Sequence, residues 1–250
     1  MTEPVLQTHD LSRRFGGLAA VGGVSLAVVM GEVHAVIGPN GAGKSTFINM
    51  LSGDLAPSSG RIVFEGKEIG GLPSDRISRL GIGRSYQRTN LFAPFTVLEN
   101  CRIAAQSRLS SSMHFFRPAD KYAALIESAR HALRQAGLDA RENTVVSDLS
   151  HGERRQVEIA MALATRPRVL LLDEPLAGMG AEESQRITAL LRALATDHAI
   201  ILVEHDMDAV FALAHTLTVM VNGKVLESGP PSQIRSSRAV QEAYLGVDHG

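Results

Sequence analysis

A glycine-rich stretch at residues 38–46 directly follows a strand-like run at 33–37, and this pairing constrains the fold more than any other feature. The run is mostly apolar and β-branched, which is typical of a buried strand. The stretch fits the spacing G-x-x-x-x-G-K-[ST], in which glycine allows the backbone to fold tightly and to point amide N–H groups inward. These groups lie at the start of a helix, where the helix dipole favours negative charge. The pattern therefore predicts a phosphate-binding loop between a buried strand and a helix.

Two side chains of this loop have distinct expected roles. Lys44 should reach the β- and γ-phosphates of a nucleotide, and Ser45 should offer its hydroxyl to Mg2+. An ordinary glycine-rich turn is the alternative, but it does not account for the strand before the loop and the helix-like sequence after it. The expected nucleotide contacts are Gly38, Asn40, Gly41, Ala42, Gly43, Lys44, Ser45 and Thr46.

A second strand-like run, at 168–172, ends in the acids Asp173 and Glu174. A continuous apolar run suits a parallel strand that is covered on both faces, and ligands bind at the carboxyl ends of such strands. We therefore expect Asp173 to hold magnesium, directly or through water, and Glu174 to act as the general base for the attacking water. Acids after a strand also commonly begin a solvated loop. The phosphate-loop pattern in the same chain favours the catalytic interpretation.

His205 follows a similar run at 199–203, so it too should lie at the carboxyl end of a strand. A histidine there could hydrogen-bond the γ-phosphate and orient the attacking water. A lone histidine is more often a surface or core residue. Its position in the same chain, after the phosphate loop and the paired acids, favours the catalytic role.

Residues 149–153, with the sequence LSHGE, precede a helix-like run at 157–164 and resemble the LSGGQ signature of ATP-binding-cassette (ABC) ATPases. In that family a second subunit presents the signature to the γ-phosphate of ATP held by the first subunit. The resemblance therefore implies a head-to-tail dimer with two sandwiched nucleotides. It implies that Ser150 supplies a hydroxyl, that Gly152 supplies an unobstructed backbone N–H, and that Glu153 joins the same nucleotide contact.

Three positions depart from the usual pattern of the family. His151 replaces a small residue and Glu153 replaces glutamine in the signature, while Gly180 stands where an aspartate commonly ends the loop after the catalytic glutamate. Ser150 and Glu153 also have the spacing of a capping box, which predicts a helix start without any phosphate. Both interpretations of the signature segment can hold together.

Two further residues take their roles from the resemblance alone. Gln87 corresponds to the glutamine that joins the nucleotide site to the helical subdomain and approaches magnesium or water, although a glutamine in a loop is usually just solvated. Phe15 lies where the family places an aromatic ring against adenine, and stacking there would add binding energy with little base selectivity. Core packing is the alternative for Phe15.

Composition agrees with a globular ATPase and argues against other classes. The chain has 250 residues, of which 44% are hydrophobic and 20% charged, and its net charge of −1 argues against a nucleic-acid partner. One cysteine, Cys101, excludes an internal disulfide and suits a reducing compartment. No run approaches the roughly 20 apolar residues that span a bilayer, and residues 1–4 do not begin a secretory signal. We expect a peripheral protein on the cytoplasmic face of the inner membrane.

The expected fold is an α/β cassette with a mixed, largely parallel core sheet, an antiparallel β subdomain and an inserted helical subdomain. The RecA-like core with the β subdomain should span about 1–88 and 164–250, and the helical subdomain about 89–163. We expect turns at 16–17 and 22–23, a helix at 121–135 ended by Gly137, and a hairpin around Asn222-Gly223.

The resemblance extends over nearly the whole chain and is strongest to ATPase subunits of importers for branched-chain and other hydrophobic amino acids. It implies ATP and Mg2+ as cofactors, two transmembrane permease subunits, a second and non-identical ABC ATPase, and indirectly a solute-binding protein. Importers of urea or short amides, a lipid exporter, and a soluble cassette acting on ribosomes or DNA are the alternatives. The residues that carry this resemblance lie at 14–21, 87–92, 177–179, 204–207 and 243–246.

Overall fold

The computed structural model describes residues 3–85, 91–108 and 119–245. The strands are β1 Leu6–Phe15, β2 Leu18–Val28, β3 Val33–Ile37, β4 Ser59–Phe64, β5 Lys67–Glu68, β6 Ile82–Ser85, β7 Val169–Asp173, β8 Ala199–Val203, β9 Thr216–Val221 and β10 Lys224–Gly229. The α-helices are α1 Lys44–Leu51, α2 Ser74–Leu80, α3 Val97–Gln106, α4 Ala119–Gln135, α5 His151–Ala164, α6 Ala181–Leu194, α7 Met207–Leu213, α8 Pro231–Ser236 and α9 Arg238–Leu245.

The strand before the glycine-rich loop, β3, lies inside a sheet with the order β10-β9-β3-β8-β7-β6. Its pairings are parallel except for the antiparallel pairing of β9 with β10. Strands β3, β7 and β8 are buried along their whole length, as expected for parallel strands covered on both faces. The sheet is mixed, as predicted, and it places Ile37, Asp173 and Val203 at the carboxyl ends of three neighbouring strands.

A second, antiparallel sheet has the order β2-β1-β4-β5. Its inward side chains, among them Leu6, Leu11 and Ile62, share one core with Phe47 and Ile48 of α1. This packing fixes the helix that follows the glycine-rich loop between the two sheets. The antiparallel sheet predicted from the sequence is confirmed.

The predicted turn at Gly22-Gly23 is wrong, because both residues lie within β2. Between the paired positions Leu11↔Val24 and Arg13↔Val21, two residues of β2 face one residue of β1. That arrangement is a β-bulge, and it accounts for the positive φ of +73° at Gly23. The glycine pair bends the strand without reversing it.

Two other local predictions are confirmed. Helix α4 ends at Gln135, and Gly137, with φ +71°, donates its N–H to the Arg134 carbonyl at 3.1 Å. The β9–β10 turn has positive φ at both Asn222 and Gly223, as a type I′ turn requires.

Helices α3, α4 and α5 share a core of small and branched side chains that continues to β7 and β8. Cys101 lies inside this core and is buried. Over the described ranges, no helix is both long and apolar enough to cross a membrane.

Candidate functional site

The glycine-rich loop has a shape that only glycine permits at two positions. Gly38 has φ +149°, and a Cβ there would lie 2.1 Å from the Met220 carbonyl oxygen. Gly43 has φ +98°, and its Cβ would lie 2.3 Å from the Ala20 carbonyl oxygen. Backbone from β9 and β2 therefore encloses the loop, and a side chain at either glycine would displace it.

The loop opens onto a cleft of about 350 Å³. Helix α1 begins at Lys44, and its N-cap residue, Gly43, provides no side-chain cap for the first turn. The N–H groups of that first turn therefore face the cleft together with the positive end of the helix dipole. The cleft is lined by residues 40–46, by Glu174, and by Leu18, Ala20 and Gly223.

Lys44 contacts the loop and interacts electrostatically with the two acids at the end of β7, Asp173 and Glu174. Its Nζ donates to the carbonyl oxygens of Gly38 at 2.6 Å and Pro39 at 3.0 Å. Burial lowers the pKa of Lys44, while the charges of Glu174 and Asp173 oppose that shift. The structure thus brings together three of the residues predicted from separate parts of the sequence.

Asp173, the last residue of β7, is 2% exposed. Burial raises the pKa of Asp173, and the Arg84 guanidinium, 3.6 Å from its Oδ2, opposes this rise. Its other oxygen, Oδ1, is buried and makes no hydrogen bond within the described part of the chain. Carboxylate and hydroxyl oxygens are ligands that magnesium prefers, so Asp173 and the cleft residue Ser45 fit such an ion.

Glu174 follows in a left-handed conformation with φ +49°. Its N–H donates to the Val203 carbonyl of β8 at 2.8 Å, which ties the turn to the neighbouring strand. The half-buried Glu174 lines the cleft beside the loop. A strained backbone that directs an acid into a cleft is a common feature of functional sites.

Glu204, for which the sequence predicted no role, directly follows β8 and binds two backbone N–H groups at the end of that strand. It is 1% exposed, and its two carboxylate oxygens accept from the N–H groups of Leu176 at 2.7 Å and His205 at 3.1 Å. Burial raises the pKa of Glu204, and these backbone hydrogen bonds oppose the rise. The available signal was an acid directly after an apolar strand, the same pattern that singled out Asp173.

His205 lies at the carboxyl end of β8, as predicted, but its side chain is 65% exposed. Its Nδ1 is 3.7 Å from Glu204 Oε2. It does not belong to the set of described residues that line the cleft. The catalytic role of His205 therefore stays a prediction.

Phe15 ends β1 and is 47% exposed, so it is not a core residue. The Arg13 guanidinium carbon lies 4.8 Å from its ring centroid, and Phe15 pairs with the cleft residue Leu18. The stacking role of Phe15 against adenine stays a prediction. Gln87, expected to approach magnesium and water, lies outside the described residues.

The capping box predicted at the start of α5 is confirmed. Ser150 Oγ accepts from the Glu153 N–H at 3.2 Å, and Glu153 Oε2 accepts from the Ser150 N–H at 2.9 Å. Arg141 holds the other oxygen of Glu153 at 3.1 Å. Glu153 is thus engaged in the structure of the helix end.

The Gly152 N–H, expected to be unobstructed, already has an acceptor within the chain. Glu183, in the first turn of α6, places its Oε1 3.1 Å from the Gly152 nitrogen and 3.2 Å from Ser150 Oγ, and both donate to it. The glycine leaves room for this carboxylate. His151 is exposed and lies beside Gly178.

Two helix starts are expected to bind nucleotide: the glycine-rich loop before α1, called here the first end, and the signature segment before α5, called the second end. They line different cavities in this chain. The loop residues and Glu174 line the first cleft, whereas Ser150, Gly152 and Glu153 line a separate cavity of about 240 Å³. A single chain does not bring these two sets together.

The family model described as "ABC transporter" matches residues 21–177. The chain belongs to the ABC transporter family. A second model, described as "branched-chain amino acid ATP-binding cassette transporter", matches residues 224–250 of this ABC cassette. Both the predicted family and the predicted fold class are confirmed.

Curated relatives align with this ABC cassette over almost their full length. The high-affinity branched-chain amino acid transport ATP-binding protein BraF of Pseudomonas aeruginosa is 39% identical, with 98% of this chain and 99% of the relative covered. The protein LivG of Escherichia coli K12, with the same description, is 37% identical with the same coverage.

Solved structures show the same fold. A nucleotide-free ATP-binding cassette from an ABC transporter superposes with a TM-score of 0.86 at 30% identity, and the match covers 96% of this chain and 98% of the other. A cassette in its ADP conformation gives the same TM-score and identity, with 98% and 100% covered.

Proposed function

We propose that this ABC cassette binds and hydrolyses MgATP and powers an importer for branched-chain or other hydrophobic amino acids. The observation that carries the proposal is that Lys44 and Glu174 line one cleft beside a glycine-enforced loop, where the charge of Asp173 also acts on Lys44. The names of the relatives support the cargo class. The working complex would contain two permease subunits and a second, non-identical ABC ATPase at the cytoplasmic face of the membrane.

In the proposed reaction the loop binds the phosphates through its backbone N–H groups and the positive end of α1. Lys44 exchanges its contacts with the loop carbonyls for the β- and γ-phosphates. Glu174 then accepts a proton from the attacking water, and His205 orients that water. The contribution of the protein is chiefly positioning and electrostatic stabilisation of charge that develops on the γ-phosphate.

Ser45 and Asp173, with Gln87, would hold magnesium. When bound, this ion would supply positive charge that offsets the negative charge of the phosphates. Arg84 supports the site because its guanidinium group forms an ion pair with Asp173. The Nη1 atom of the same group donates to Asp54 at 2.8 Å.

The separation of the two candidate ends supports a dimer as the active form. Ser150 and Gly152 of one subunit would complete the site of the other, so that ATP joins the subunits and hydrolysis releases them. Closure would move the helical subdomain, about 89–163, against the core formed by about 1–88 and 164–250. That movement would be passed to the permease subunits.

The segment after Gln87 is the proposed contact with a permease. Asn100, fully buried, anchors this segment by accepting from the Phe92 N–H at 2.8 Å and donating to the Phe92 carbonyl at 3.2 Å. The Phe92 ring is 48% exposed and stacks on Phe95 with 5.6 Å between centroids. Leu91 lines a groove of about 260 Å³ between the helices and β6. An anchored segment with an exposed ring suits a docking contact.

We expect Phe92→Ala to retain basal ATPase activity and to abolish most coupled transport, because it removes a contact that is remote from the nucleotide. The measurement is ATP hydrolysis and amino-acid uptake in parallel, in vesicles that contain the assembled transporter. Leu226→Ala, which also truncates an exposed apolar side chain, is the matched control. Equal losses of hydrolysis and uptake, or no loss of either, would contradict this role.

The test of the whole proposal is purification of the tagged chain from gently solubilised membranes, with mass spectrometry of the proteins that accompany it. Two multi-span membrane proteins and a second ABC ATPase are the expected result. Recovery with ribosomes or repair factors alone would overturn the transport proposal and leave the ATPase proposal standing.

A further inference from the structure

A carboxylate from α6 lies against the start of α5. Glu183 Oε1 accepts two hydrogen bonds there, from Ser150 Oγ at 3.2 Å and from the Gly152 N–H at 3.1 Å. The contact joins residues more than 30 positions apart, as Glu183 is 33 from Ser150 and 31 from Gly152. It therefore fixes the packing of α5 against α6.

The start of α5 fits a negatively charged oxygen closely. A Cβ at position 152 would lie 2.8 Å from Glu183 Oε1 and 2.9 Å from its Cδ, so only glycine admits the carboxylate at this distance. The positive end of the α5 dipole adds to the attraction. A hydroxyl, a backbone N–H and a helix N-terminus are the elements that also bind phosphate.

Glu183 thus engages the two donors that the proposed function assigns to the γ-phosphate of the other subunit's ATP. One hydroxyl proton and one N–H cannot fully serve two acceptors, and two negative charges at the same helix end repel each other. We propose that Glu183 is an internal competitor of the nucleotide, which holds the signature end of each subunit until ATP carried by the partner subunit displaces it. This inference rests on the proposed function.

The structure also contains a second position for the displaced carboxylate. Glu183 and Arg186 line the same cavity of about 240 Å³, three residues apart on α6. Within the described ranges, Arg186 makes no ion pair. Residues at this spacing lie on one face of a helix and pair readily. Rotation of Glu183 toward Arg186 would free Ser150 and Gly152 without moving either helix.

Glu183→Gln should therefore lower the ATP concentration at which the assembled transporter reaches half-maximal hydrolysis. The amide keeps the shape but loses the charge, and hydrogen bonds to charged groups are stronger than those to neutral ones. We expect the KM for ATP to fall by about three- to tenfold, and Glu183→Ala to lower it at least as far. Glu182→Gln is the matched control, because Glu182 is exposed in the same first turn of α6 and makes the same change of charge.

The experiment measures the KM for ATP of the complex purified from membranes, for the wild type and the three variants. It also measures the Kd of the isolated chain for ATP, which should be unchanged because the loop is not altered. A KM that is equal in the wild type and Glu183→Gln, or lower to the same extent in Glu182→Gln, would overturn the inference alone. A wild-type complex that hydrolyses no ATP would overturn the proposed function and this inference with it.

Discussion

Helices α1 and α5 both begin at sequences suited to anions, but the chain satisfies their first turns in different ways. The N-cap of α1 is Gly43, which offers no side-chain cap, and its first turn contains no acid. The N-cap of α5 is Ser150, which forms a full capping box with Glu153, and Glu183 adds a further acceptor. Donors at the first end remain for a ligand, whereas those at the second are already used within the chain.

The same helix dipole therefore serves two purposes in this chain. At α1 the surrounding backbone enforces the loop through Gly38 and Gly43, so the phosphate-binding shape is built into a single chain. At α5 the stable state of one chain includes its own carboxylate. At the second end, the Glu183 carboxylate must be replaced by the γ-phosphate of the ATP that the partner subunit holds. Closure of the dimer therefore depends on the nucleotide.

Removal of the proposed general base tests the chemistry at the first end and should change activity most. Glu174→Gln should lower the ATP turnover of the assembled complex by about 10²- to 10⁴-fold, because a general base contributes this much. It should retain ATP binding and trap the closed dimer. Turnover and nucleotide occupancy measured on the same preparation check both statements, with Glu182→Gln as the control. Near-normal turnover would remove Glu174 from its assigned role.

The glycine loop gives the next largest effect. Gly43→Ala should weaken ATP binding by about tenfold or more, because the new Cβ would lie 2.3 Å from the Ala20 carbonyl oxygen. Backbone strain at such a position costs about 1–3 kcal/mol. Gly41→Ala is the matched control, because Gly41 has φ +79° but no atom within 4 Å of its Cβ position. Calorimetric titration of each variant with ATP compares them. Equal losses of ATP affinity in the two variants would show that backbone strain, and not the close approach of the Ala20 carbonyl, accounts for the effect.

A smaller effect is expected from the aromatic ring at the edge of the first end. Phe15→Ala should weaken ATP binding by about two- to twelvefold, because aromatic stacking contributes about 0.5–1.5 kcal/mol. Affinity for tripolyphosphate, which has no base to stack, should not change. A parallel loss for both ligands would assign Phe15 to the structure of the loop instead.

Much of the first end could be predicted from the sequence because its elements are local. Residues 33–37 form a mostly apolar run and residues 199–203 a continuous one, and the structure has strands at the same bounds. The glycine spacing defines the loop, and Asn222-Gly223 defines its hairpin neighbour. In each case the residues of one short segment are enough to predict its local structure.

The features that sequence reasoning missed depend on distant partners. Strand β6, Ile82–Ser85, contains a glycine and an arginine and gives no strand pattern, but pairing with β7 along its whole length creates it. The bulge at Gly22-Gly23 depends on the register of β1. The Glu183 contact joins residues more than 30 positions apart in the sequence, and no local pattern encodes it.

The measurement that most directly tests the contrast between the two ends is the affinity of Ser150→Ala for ATP, in the isolated chain and in the assembled complex. The isolated variant should bind ATP as the wild type does, because its own loop is complete. In the complex the variant should bind ATP several-fold more weakly, because the partner nucleotide loses a donor. A change of equal size in both, or no change in the complex, would contradict the claim that the second end acts on the nucleotide of another subunit.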